Sequence, residues 1–127
     1  MSKPLFPGFP RATRQLPVPA PLLGSLLVDI DDPAELKCTL RFLWHAAQVK
    51  GAPKAVPAAS LEGDEVLLAA LGSPEAVRRG LGLAVTRGTL LAANGAYLLH
   101  TEENARAAER MAAALGTAPA GAGPSVG

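Results

Sequence analysis

The chain has 127 residues, of which fifty are Ala, Gly or Pro and only five are aromatic, so it has room for one small domain built from Leu and Val between closely approaching Ala-rich helices. A formal net charge of +1 excludes a strongly basic nucleic-acid arm and an acidic tail. A single Cys excludes an internal disulfide and a cysteine-based metal site and points to a reducing, cytoplasmic setting, while no run of 18 apolar residues is present to span a bilayer and no apolar core follows the first charges as in a secretory signal.

Six of the twelve prolines fall before residue 22, which makes residues 1–20 an extended Pro-rich arm with Phe6, Phe9, Leu16 and Val18 available to lie in grooves of the body. Pro21–Val28 reads as one or two helical turns. Asp32-Pro33-Ala34-Glu35 then combines an N-cap, a proline at the first helical position and a capping-box acid at the third. Leu36, Leu40, Leu43, Trp44 and Ala47 follow at helical spacing, and Lys50-Gly51 supplies a stop. Phe42 and Val49 lie on another face, so this is a central helix.

Lys54–Pro57 predicts a brief strand, and Ala58–Leu71 a helix broken at Gly63-Asp64, where Asp64 caps a fresh turn. Ser73-Pro74-Glu75 opens a further helix with Val77, Leu81 and Val85 as its buried stripe, ended by Gly88. Two apolar runs, Thr89–Ala93 and Ala96–His100, are joined by Asn94-Gly95, the pair that best tolerates the positive φ angles of a type I′ hairpin. Thr101 caps a last helix, Glu102–Leu115, closed by Gly116. The tail 116–127 has no charge and few large side chains and predicts disorder. The fold class is mainly α with a small β-wing: a winged helix-turn-helix over 21–115, with helix 74–87 in the recognition position.

Three segments carry a resemblance: Phe9–Pro19, Ile30–Lys37 and Arg78–Leu91, with Tyr97–Arg106 as a second wing strand entering a capped helix. They resemble the N-terminal winged-helix module of DnaD-like replication initiation proteins, of the type found in green non-sulphur bacteria. The resemblance covers about residues 8–115 and rests on scaffold signatures with no catalytic residue among them. It implies a role in replication initiation and primosome assembly, homo-oligomerisation, and contact with DNA and with other initiation proteins. The family's second, helical module and its Tyr/Trp-bearing motif are not found in this sequence.

The residues themselves offer a nucleic-acid face. Arg78 and Arg79 lie off the Val77/Leu81/Val85 stripe, Arg87 sits at the helix end within reach of a phosphate, and Lys54 and Arg41 flank them. Gly80 and Gly82 weaken the recognition-position helix, the hairpin tip Ala93–Ala96 is bare of basic side chains, and Gly80, Gly82 and Ala84 would admit a neighbouring backbone for self-association. Charge alternates in blocks: basic to residue 28, acidic over Asp29–Glu35, basic to Lys54, acidic over Glu62–Glu75, basic over Arg78–Arg87. Cys38 and His45 read as a packed thiol and a partly buried imidazole. Asp29, Asp31 and Asp32 lack the glycine and distal Glu of a calcium loop. No catalytic triad, phosphate-cradling loop, metal site or cofactor site is indicated, so the expectation is a non-catalytic protein with no small-molecule substrate. The alternatives are a winged-helix transcriptional regulator and a protein–protein interaction module without DNA binding.

Overall fold

The computed structural model of the chain describes residues 5–115; the predicted tail and the Gly116 helix stop lie outside them. The described chain is mainly helical with a small three-stranded antiparallel sheet. A 3-10 turn, Ala20–Leu23, leads into α1 (Ser25–Asp29), followed by α2 (Pro33–Ala46), β1 (Val56–Pro57), α3 (Ala58–Glu62), α4 (Glu65–Leu71), α5 (Pro74–Arg87), β2 (Leu90–Ala93), β3 (Ala96–Leu99) and α6 (Glu102–Leu115).

Local chemistry sets most of these boundaries. The Asp32 carboxylate accepts from the Ala34 amide at 2.8 Å with Pro33 at the first helical position. Asp64 accepts from the Leu67 amide at 2.8 Å and restarts the helix that Gly63 interrupts. The Ser73 hydroxyl accepts from the Ala76 amide at 3.2 Å, and Gly88, at φ 95°, closes α5. The Thr101 hydroxyl accepts from the Asn104 amide at 3.0 Å. Each bond satisfies a donor that a helix start leaves unpaired.

Between β2 and β3, Asn94 and Gly95 adopt φ 61° and 72°, as a two-residue type I′ turn demands. Leu90 pairs with Leu99 and Ala93 with Ala96, and β1 adds to the outer side of β3 through Val56 and Tyr97, giving the order β1-β3-β2.

Four expectations are corrected. First, α2 ends at Ala46 rather than at Lys50-Gly51. The Gln48 side-chain amide takes the Trp44 carbonyl at 3.0 Å and the Gln48 backbone amide takes that of His45 at 3.0 Å, so the last turn is satisfied early. Second, Glu35 closes no capping box: both its oxygens are held by Arg87 of α5, one of them at 3.0 Å from Nη2.

Third, α2 buries Ala34, Glu35, Cys38, Thr39 and Phe42 and leaves Leu40 and Trp44 exposed. The cause lies on α5, where a Cβ added at Gly80 would stand 2.5 Å from the Ala34 carbonyl oxygen and 2.7 Å from Cys38 Sγ. Only the small-residue face of α2 permits that approach; its leucine face would hold the two helices apart. Gly80 and the buried Ala84 are therefore consumed inside the chain and offer nothing to a neighbour, whereas Gly82 faces open space.

Fourth, Phe6 and Phe9 do not settle into grooves of the body. They pack edge to face on one another, 4.9 Å between centroids, and remain 67% and 81% exposed. A turn closed by the Thr13 amide on the Pro10 carbonyl and a hydrogen bond from Arg14 to Gln48 Oε1 at 3.2 Å hold the arm away.

The main core gathers Phe42, Leu61, Leu67, Val77, Leu81 and Leu90 between α2, α3, α4, α5 and the sheet. A second cluster, Leu91, Ala93, Leu98 and Ala108, fixes α6 against the other face of the hairpin.

Candidate nucleic-acid interface

The stripe that buries Val77 and Leu81 turns Arg78 and Arg79 outward on α5, as their positions require. Neither stands free. Arg78 donates to Glu62 at 2.7 Å and also approaches Glu75 at 3.3 Å. Arg79 donates to both oxygens of Asp32, the cap of α2. These bonds hold both guanidiniums above their ordinary range and, together with the Ala34 amide, hold the Asp32 carboxyl below its own.

The other three predicted contacts are also bonded within the chain. Arg87 reaches back from the end of α5 to Glu35, whose side chain is only 2% exposed. That hydrogen bond raises the Arg87 guanidinium, which is thereby a structural partner of α2. Arg41 donates from Nε to both oxygens of Asp64 at 3.0 and 3.1 Å, and its guanidinium lies 3.9 Å above the Trp44 ring. Lys54 donates to the Val49 carbonyl. The hairpin tip presents only Ala93, Asn94, Gly95 and Ala96.

Arg78, Arg79 and Arg87 thus share one helix, and they and Arg41 are bonded to carboxylates of the chain while Lys54 is bonded to a backbone carbonyl. Asp64 is the hub that sequence reasoning saw only as a cap. It also accepts His45 Nε2 at 2.7 Å. Burial pushes its carboxyl upward, but the Leu67 amide, His45 and Arg41 together outweigh burial and hold it below the usual carboxylate range. Nothing local signals this cluster, because its members lie 19 and 23 residues apart. Cys38 is fully buried, which pushes its thiol up to about 11, and its Sγ donates to the Val77 carbonyl at 3.5 Å.

Among the described residues, no group of three or more His, Cys, Asp or Glu side chains is placed to hold a metal ion, and no helix is long and apolar enough to cross a membrane. Comparison with protein-family models, with curated proteins and with solved structures returns no match.

Proposed function

We propose that this chain is a non-catalytic winged helix-turn-helix module of the DnaD-like type, acting in assembly of a replication-initiation complex through contacts with protein, including copies of itself. The order of helix, short strand, two helix segments, longer helix and hairpin supports the winged-helix reading, with α5 in the recognition position and β2-β3 as the wing. The observation that carries the protein-contact emphasis is the neutralisation of α5: Arg78, Arg79 and Arg87 each face a carboxylate of the same chain. A helix built to meet phosphates presents uncompensated charge, and sequence-independent affinity for DNA scales with the phosphates neutralised.

A second reading, direct contact with DNA, is favoured by one feature. The Arg78 and Arg79 side chains are 50% and 57% exposed. Exposed ion pairs are worth little, so a phosphate is able to displace their carboxylate partners. Two such contacts give a salt slope of only about −2 in log–log terms.

Light scattering of the full chain over a range of concentrations, beside a DNA titration at two salt concentrations, separates these readings. The expected outcome is a mass that rises with concentration and a DNA affinity no tighter than the roughly 10⁻⁴–10⁻⁶ M of non-specific contact. If DNA contact occurs, Arg78→Ala with Arg79→Ala flattens the salt slope and weakens binding equally for all sequences. A monomer at every concentration refutes the self-association reading. A preference of about 10³-fold or more for one duplex sequence marks a transcriptional regulator instead.

A further inference from the structure

A cavity of about 230 Å³ lies where the 3-10 turn and α1 meet α2, the α5–β2 junction and the end of β3. Pro21, Leu22, Leu26, Leu43 and Leu99 wall it with hydrocarbon. An apolar cavity of about 150 Å³ is already large enough to take up benzene, so this one has room for a single or fused ring. The helix α1 buries none of its own residues, so its Leu26 still has apolar surface to offer at the cavity.

The polar groups at the cavity define what such a ring carries. Thr39 donates its hydroxyl to the Glu35 carbonyl at 2.8 Å, and the Thr101 hydroxyl accepts from the Asn104 amide. Thr89 differs. Its hydroxyl is screened from solvent and is the one buried side-chain polar atom, among the described residues, without a hydrogen-bond partner. A hydroxyl left so weakens the fold, and its χ1 has other staggered wells through which it turns toward a bound partner. His100 donates from Nδ1 to the Gly88 carbonyl at 2.7 Å, which leaves Nε2 of the neutral ring as an acceptor. One hydroxyl on a ligand serves both, accepting from Thr89 and donating to His100.

Charge narrows the class further. Arg87 borders the cavity, but Glu35 holds its guanidinium, and Asp29 and Asp31 act on it as well. Its positive charge is already balanced, which disfavours a carboxylate, and the guanidinium itself turns away an ammonium. We propose that this cavity binds a neutral hydroxylated ring compound, of phenol to naphthol size, as a ligand and not a substrate. Bound there, the ring gives Leu26 an apolar partner and fastens the root of the arm to the α5–β2 junction.

Amide NMR titration of the full chain tests this with two compounds of one shape. Naphthol shifts the amides of Gly88, Thr89 and His100 saturably, with a Kd of about 0.1–1 mM, and naphthoate binds at least about tenfold more weakly. Thr89→Val keeps the side chain's shape and removes its hydroxyl. Affinity for naphthol then falls about tenfold, while the thermal midpoint of the free chain rises by about 4 °C because no bond is lost. Leu26→Trp fills the cavity from a helix that buries nothing and abolishes binding. The proposal is overturned by the absence of a saturable shift with naphthol, by naphthoate binding as tightly, or by unchanged naphthol affinity in either variant. A Thr89→Val midpoint that does not rise also overturns it, because the hydroxyl then already has a partner in the folded chain.

Discussion

Gly80 and Gly82 are two residues apart on one helix, yet they answer to opposite physics. At Gly80 the Ala34 backbone occupies the space a side chain would need, while at Gly82 nothing lies within 4 Å. Gly80→Ala therefore forces backbone against backbone and destabilises by about 2–3 kcal/mol. Gly82→Ala meets no obstacle and lowers the entropy the chain loses on folding, for a gain of about 0.5–1 kcal/mol. Thermal unfolding reads the pair directly, since each kcal/mol moves the midpoint by roughly 4–8 °C in a domain of this size. Equal shifts for both variants would show that α5 does not approach α2 as described. Composition flagged both glycines as weak points of a helix; only the packing partner assigns one of them a role.

At the scale of elements, the signals that were legible in sequence are those whose cause is local. Asp32, Asp64, Ser73 and Thr101 cap the helices that follow them, and Asn94-Gly95 makes the hairpin, because each bond or dihedral is settled within four residues. The register of α2 was not legible, because Leu36, Leu40 and Leu43 compete with Ala34, Cys38 and Phe42 for the core. A glycine 37 to 46 residues away, Gly80, decides between them. The partners of the candidate site were not legible for the same reason: Arg78, Arg79 and Arg87 bond to acids 16, 47 and 52 residues distant. The Glu35–Arg87 link between α2 and α5 makes this testable. Arg87→Met strands a buried carboxylate, whereas Glu35→Met with Arg87→Met removes both charges. The double variant should unfold at a higher urea concentration than the single one. The reverse order would mean that Glu35 finds compensation elsewhere.

Across the whole molecule, the alternating charge blocks of the sequence become pairs in space, joining α5 to α3 and α2 and joining α2 to α4. Each of the three arginines of α5 thereby faces a carboxylate of the same chain. The same pairing sets the response to acid. Asp32 and Asp64 both titrate below their ordinary value of 3.8 in the folded chain, so the unfolded chain binds protons first as pH falls. Their contribution to stability is complete above 3.8 and drains as pH drops through that value toward the folded ones. Asp64→Asn keeps a side chain able to cap α4 but removes the charge that Arg41 and His45 share. At neutral pH it should cost about 2 kcal/mol, the worth of a charged hydrogen bond. Urea unfolding of wild type and variant should show a gap that is full at pH 5 and narrows steadily between pH 4 and pH 2. A gap of constant width across that range would mean that Asp64 acts as a cap alone and that its ion pairs stabilise nothing.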